Sequence, residues 1–445
     1  MEKKIDLITS LKTNFEIGII SKYIPKEIIE EFKKKSTKKY RERIFGLNEV
    51  LNGMLYQALS EDKSEQNAVM YIAENYNKLR EDIKKMQDSS AIEQSDKPKK
   101  KRGRPKKHLF KIQKSKLKEI SLNTSSYDEA RQRFPLELNR HIFKSINPEL
   151  KEEKLWHGHK VYIVDGTTCK MVDTTELRNY FMPKQDSNPQ PLPIMRLEVL
   201  IDMYGGYIVD VETDNYNSSE GCMLRRMYPS IPEQTILLAD DLYSSYGHLA
   251  FSQSKGVHII ARGKHQRKEK EVHRYSDNDI IVEWKSHQDP RWFLEGDVLP
   301  ETLLVRRISY KDPEHPEKTA YLYTTLLDTE KYSTEDILAL FFCRWDIEIG
   351  MREIKIILSM EYLRGKTVNM VMKELYSYLI LYNIIRIMMI ETLGKNNADF
   401  FSHRKAIQRG SSVNKTESGY ADRIGRSYAR KSPGRNGYVY NKIQA

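Results

Sequence analysis

Lys160-Val-Tyr-Ile-Val-Asp165 is the stretch on which the fold turns. Before it the chain reads as helix and polar linker. From it onward, short apolar runs closed by Asp or Gly take over. Five residues rich in β-branched and aromatic side chains, then Asp165-Gly166, predict a buried strand followed by a tight turn. Gln234-Thr-Ile-Leu-Leu-Ala-Asp240 repeats the pattern, and Gly256-Val-His-Ile-Ile-Ala261 is another buried strand. Between them, Arg196 to Glu212 predicts a hairpin turning at Gly205-Gly206.

Working outward, residues 1–87 carry apolar positions at helical spacing, as in Ile28–Phe32 and Val50–Leu59. Residues 88–108 read as a linker that becomes strongly basic, with eight Lys or Arg among the eleven residues Lys97–Lys107. Residues 109–150 return to helix, with Ser125, Ser126 and Asp128 as cap candidates. The first part of a core spans 151–262. A β-rich insertion over 263–332 includes Ile280–Trp284 and Thr302–Ser309. Helices over 333–395 follow, and then a basic tail, 396–445. Strands, then an inserted β-rich stretch, then long helices imply a mixed α/β core.

The chain has 445 residues, 39% hydrophobic and 31% charged, with a net charge of +12. That balance suits a polyanion partner. Cys169, Cys222 and Cys343 have no CxxC spacing, which argues for reduced thiols in the cytoplasm and against a zinc site. The apolar run Leu375–Ile390 is interrupted by Asn383 and Arg386, so it reads as a buried helix rather than a membrane span.

Chemistry concentrates at three places. Asp165 and Asp240 each close an apolar strand, where side chains emerge at the mouth of a sheet. Asp241 is the neighbouring alternative, and the alternation of the strand favours Asp240. The third place is Arg344-Trp-Asp-Ile-Glu348-Ile-Gly-Met-Arg-Glu-Ile-Lys355. At about 100° per residue, Arg344, Glu348 and Lys355 share one helix face within roughly 40°, and Phe341 falls on the same stripe. Three carboxylates can hold two hard divalent cations through oxygen. The flanking Arg344 and Lys355 would meet phosphate.

Val164-Asp-Gly-Thr-Thr-Cys-Lys-Met-Val-Asp-Thr-Thr-Glu-Leu177 resembles the block around the first catalytic Asp of DDE transposases of the insertion-sequence-four type. Leu238-Ala-Asp-Asp-Leu-Tyr-Ser-Ser-Tyr246 resembles their second block. Arg344, Glu348 and Lys355 match their Tyr-Arg-Glu-Lys signature, with Phe341 at the Tyr position. The resemblance covers roughly residues 40–400. It implies an α/β, RNase H-like catalytic core with a β-rich insertion, preceded by helical DNA-binding regions. It also implies cut-and-paste DNA transposition with Mg²⁺ or Mn²⁺, by a homodimer on paired terminal inverted repeats and a target DNA. Carried over residue by residue, it makes Asp165, Asp240 and Glu348 the catalytic metal ligands and Arg344 and Lys355 the holders of the DNA end. Two rivals are a metal-dependent nuclease of the same fold and a silent DNA-binding descendant.

Further DNA contacts are expected. Lys101-Arg-Gly-Arg-Pro-Lys106 resembles an AT-hook, whose Arg102 and Arg104 would enter a narrow minor groove; the alternative is a generic basic linker. Residues 1–87 and 109–150 are candidates for reading the transposon end. Arg262, Lys264 and Arg267 are placed to track phosphates or to form an ordinary exposed turn. Trp284 and Trp292 are candidates for stacking on a flipped base, or core residues. His157 and His159 lack partners at metal spacing and read as structural.

Overall fold

The computed structural model describes residues 22–37, 40, 44–77, 121–146, 155–183, 190–263, 269–286, 299–312, 315 and 317–396, with backbone alone at 26, 346–351, 353, 354, 357 and 392–396. The basic run with Arg102 and Arg104, as well as Lys264, Arg267, Trp292 and the tail from 397, lies outside the described residues.

The helices α1 Lys26–Lys35, α2 Leu47–Leu59, α3 over 65–77, α4 Ser125–Arg133 and α5 Leu136–Ser145 come first. They are followed by β1 Lys160–Met171, α6 Thr175–Phe181, β2 Ile194–Asp202, β3 Ile208–Asn215 and α7 Glu220–Met227. Next are β4 Thr235–Ala239, α8 Tyr246–Ser254, β5 His258–Gly263, β6 Lys270–Ser276 and β7 Asp279–Lys285. The last are β8 Thr302–Lys311, β9 Thr319–Thr324, α9 Thr334–Ile357, β10 Tyr362–Leu363 and α10 Val368–Asn396.

Two compact units share the chain. One holds Met1–Glu153, Asp165–Ser230 and Ile347–Lys395; the other holds Lys154–Val164, Ile231–Asp346 and Asn396–Ala445. Of the five boundaries between them, one falls inside β1, at Val164/Asp165, and another inside α9, at Asp346/Ile347.

In the first unit the strand order is β3-β2-β1, with β10 against β1. The expected turn at Asp165-Gly166 is absent: β1 runs on to Met171. The β-branched Thr167 and Thr168 favour extension, and the far end gains a parallel partner, Lys170↔Tyr362 and Met171↔Leu363. Gly166 serves space rather than a turn, because a Cβ there would lie 2.9 Å from Glu220 Oε1. The expected hairpin is present, with β2 and β3 antiparallel from Met195↔Asn215 to Ile201↔Ile208 and Gly206 at φ +66°. Its turn is held by α10: Tyr382 Oη donates to the Gly206 carbonyl at 2.8 Å, and Arg386 Nη2 to that of Gly205 at 2.9 Å. Both polar interruptions of the apolar run are bonded to the hairpin, Arg386 at Gly205 and Asn383 at Ile208. Among the described residues no helix is long and apolar enough to cross a membrane.

The N-terminal helices have their own core around Ala68, Val69, Ile72 and Tyr127. Thr124 occupies the cap position of α4, so Ser125, Ser126 and Asp128 lie inside the helix; Asn123 Oδ1 accepts the Ser125 N–H at 2.9 Å. Lys373 of α10 closes the other end of α4, donating to the carbonyls of Arg131 and Gln132, both at 2.9 Å. Burial pushes its pKa down to about 8.

In the second unit the order is β1-β4-β5-β9-β8-β7-β6. β1, β4 and β5 are parallel and their apolar residues are buried, as a sheet covered on both faces requires. Within the first unit the antiparallel β2/β3 pair, and within the second the parallel β1, β4 and β5, are the strand relations expected of an RNase H-like core. The β-rich segment extends this sheet instead of forming another, because β9 pairs antiparallel with β5 from Ile260↔Thr324 to Gly263↔Tyr321. Arg306, fully buried, locks it: Nε and Nη2 grip Asp279 at 2.9 and 2.5 Å, and Nη1 donates to the Tyr332 carbonyl at 2.7 Å.

Candidate active site

Asp165 is half-buried in the first unit, at the middle of β1. The strand beyond it is fastened to the end of α9 and the segment that follows. Lys355 Nζ donates to Thr167 Oγ1 at 2.7 Å and to the Thr168 carbonyl at 3.1 Å. Cys169 Sγ donates to the Met360 carbonyl at 3.2 Å, and Lys170 N–H to that of Glu361 at 2.9 Å. Lys355 is buried, so it is not on a solvated helix face. Glu348 lies on α9, seven residues before Lys355, and only its backbone is described. Beside Gly166 stand Glu198, fully buried on β2, and Glu220, which pairs with Arg196 at 3.2 Å.

In the second unit the parallel ladder between β1 and β4 ends at Ile163↔Leu238, two residues before Asp165 on one strand and two before Asp240 on the other. Asp240 is exposed, and its Oδ1 accepts the Leu242 N–H at 2.9 Å, capping the single 3₁₀ turn Asp241–Ser244. Asp241 belongs to that turn. Arg344 is buried on α9, with its guanidinium 5.2 Å from the centre of the Phe341 ring. Phe341 itself is 1% exposed.

The remaining expected contacts have other partners here. Arg262 is paired with Asp312 at 2.5 Å. Trp284 is 4% exposed, packs edge-on against Tyr323, and donates from Nε1 to Glu269 at 3.3 Å. Its burial supports the core reading rather than base stacking. His159 is structural: Nδ1–H donates to the Gln234 carbonyl at 2.8 Å, which leaves Nε2 to accept from Tyr332 Oη at 2.6 Å. Burial lowers its pKa, and pushes that of neighbouring His258 down to about 4. Sequence reading missed Thr167 and Thr168 as partners of the signature lysine; their position directly after Asp165-Gly166 was the available signal.

Among the described side chains no three His, Cys, Asp or Glu gather as a metal set; the Glu348 side chain lies outside them. The donor chemistry of Asp165, Asp240 and Glu348 is all carboxylate oxygen, which suits Mg²⁺ or Mn²⁺ and not a thiolate- or imidazole-seeking metal.

The family model for the transposase DDE domain matches residues 156–384, just over half of the chain. The transposase InsG for insertion sequence element IS4 of Escherichia coli is 27% identical over 286 residues, 60% of this chain and 61% of InsG. InsZ of the same organism is 28% identical over 141 residues, 30% of this chain and 47% of InsZ. The chain thus spans about three-fifths and about half of these relatives. Among solved structures, a piggyBac transposase synaptic complex with hairpin DNA is similar at a TM-score of 0.38 and 9% identity, over 68% of this chain and 62% of that one. The chain belongs to the transposase DDE domain family.

Proposed function

We propose that this protein is a DNA transposase that moves an insertion sequence by cut-and-paste. It acts in the cytoplasm as a homodimer on paired terminal inverted repeats. Asp165, Asp240 and Glu348 hold Mg²⁺ or Mn²⁺. When bound, a pair of such cations supplies the charge that activates the attacking hydroxyl and stabilises the leaving oxygen. Water hydrolyses one phosphodiester at the element's end, leaving a 3′-hydroxyl and a 5′-phosphate. That hydroxyl then displaces a 3′ oxygen of the other strand or of the target, so one phosphodiester forms as another breaks. Arg344 adds positive charge near the end, and the basic run Lys97–Lys107 adds salt-sensitive affinity.

The observation that carries this reading is the link between the signature helix and the strand of the first Asp. Lys355, seven residues after Glu348, bonds Thr167, two residues after Asp165. Two of the three family motifs are thereby joined in one unit.

The test is cleavage of DNA carrying the element's own ends, with Mg²⁺, by wild type and Glu348→Gln. Nicks or hairpins at the ends, with joined products, all lost in the variant, support the reading. Cleavage without joining leaves a nuclease. Folded wild type that binds the ends and cuts nothing leaves a silent DNA-binding descendant.

A further inference from the structure

The signature lysine is expected to grip the DNA end. Its environment here has a different logic. Lys355 is 8% exposed, and its ammonium group already has two oxygen acceptors, both on the strand that carries Asp165. An ammonium has three donors, so two are spent inside the protein. The same strand is fastened at two more consecutive positions, by Cys169 to the Met360 carbonyl and by Lys170 to that of Glu361. The parallel pairs Lys170↔Tyr362 and Met171↔Leu363 continue the seam. Of the residues in this seam, Lys355 is the nearest in sequence to Glu348, and its partner Thr167 is the nearest to Asp165. Lys355 joins helix to strand through a charged side chain, where the rest of the seam relies on a thiol and on backbone pairing.

We infer that Lys355 is a positioning residue that sets the strand of Asp165 against the helix of Glu348, so that the two carboxylates share a metal. The inference rests on the transposase reading above. A charged donor on a hydroxyl and a carbonyl fixes distance more firmly than packing alone. Groups that orient metal ligands typically change metal affinity or activity by about 10–100-fold when removed. A lysine that gripped DNA would instead govern affinity for the ends.

The experiment separates these roles with Lys355→Met, Lys355→Arg, Thr167→Val and Thr167→Ser. Three quantities are read: Mn²⁺ binding by electron paramagnetic resonance, end-duplex affinity in EDTA, and cleavage against Mg²⁺ concentration. Circular dichroism and melting temperature establish that each variant is folded. Lys355→Met is expected to weaken Mn²⁺ binding and raise the Mg²⁺ half-saturation about tenfold, with end affinity within about twofold of wild type. Lys355→Arg, which keeps the charge but not the compact ammonium, falls between wild type and Lys355→Met. Thr167→Val moves the same readouts in the same direction, and Thr167→Ser restores them. The double variant Lys355→Met/Thr167→Val is no worse than Lys355→Met alone, because both remove one interaction. Should Lys355→Met fail to fold, Thr167→Val carries the test. A tenfold loss of end affinity with unchanged metal dependence overturns the inference and returns Lys355 to the DNA. Normal metal dependence in Thr167→Val also overturns it. Wild type that neither binds Mn²⁺ nor cuts DNA sinks the transposase reading and this inference together; wild type that does both, with Lys355→Met unchanged, sinks the inference alone.

Discussion

Asn383 brackets Ile208: its Oδ1 accepts the Ile208 N–H at 2.8 Å, and its Nδ2 donates to the Ile208 carbonyl at 2.9 Å. One amide thus takes the place of a strand neighbour for the first residue of β3. Both residues are buried, so water does not replace these bonds. Asn383→Leu, close in size and apolar, is expected to destabilise the protein by about 2–4 kcal/mol, the cost of two buried backbone groups left without partners. Urea unfolding measures it. A loss under about half a kcal/mol would mean that the hairpin rebuilds these bonds by itself.

Asp240 and Asp241 are adjacent, and only Asp240 is expected to matter for chemistry. Asp240→Asn should retain end binding within about twofold and reduce cleavage by at least about a thousandfold. Asp241→Asn should cut within about tenfold of wild type. Gel-shift and single-turnover cleavage read both. Reversal of the two phenotypes would move the metal ligand one residue along.

Phe341 stands where the family has Tyr, and its ring is 1% exposed beneath Arg344. Restoring the hydroxyl with Phe341→Tyr is expected to change end affinity by less than about twofold and to cost about 1 kcal/mol in stability, as an oversized group in a packed site does. A tenfold gain in affinity would show that this position reaches DNA.

His159 and His258 give the stability a pH dependence on the acid side. Burial holds both imidazoles neutral, with the pKa of His258 pushed down to about 4. In the unfolded chain histidine titrates near about 6.5. Between these values the unfolded chain binds more protons than the folded one, so stability rises with pH through that window and falls on acidification. Melting temperatures between about pH 4.5 and 7 should show this slope, and His258→Gln should flatten it. An unchanged slope in the variant would assign the effect to His159, to His248, whose pKa burial also pushes down to about 4, or to carboxylates.

Deleting Lys97–Lys107 is expected to weaken DNA binding most at low salt. The dependence of log Kd on log salt should flatten by about 0.9 for each phosphate that the run no longer neutralises. Cleavage of saturating DNA should survive. If it disappears, the run does more than supply charge.

Much of the fold was legible in the residues. The runs before Asp165 and Asp240 are strands, the Gly205-Gly206 hairpin forms, and α9 carries all three signature positions. What escaped were features set by distant partners. Asp165-Gly166 is locally a turn signal, yet β1 continues to an end where its last two residues, Lys170 and Met171, pair with β10, far along the chain. Asn383 and Arg386 read as flaws in an apolar helix until the carbonyls they serve are located on the hairpin. For the candidate site, the residue types and spacings pointed to Asp165, Asp240 and Glu348, but the one local sign that Lys355 would be spent on Thr167 was the place of that threonine directly after Asp165-Gly166. Burial of that kind depends on what packs above the helix, which spacing alone does not encode.

The passage of the chain between its two units through the interior of β1 and of α9 bears on heredity. Most modular proteins trade parts at loops, where a recombination breakpoint does little harm. Here, two of the junctions fall inside a strand and a helix, at Val164/Asp165 and Asp346/Ile347. A crossover there between diverged relatives would splice mismatched halves of both elements. Descendants of this gene should therefore inherit the stretch from β1 to α9 as one block, diverging by point substitution rather than by shuffling.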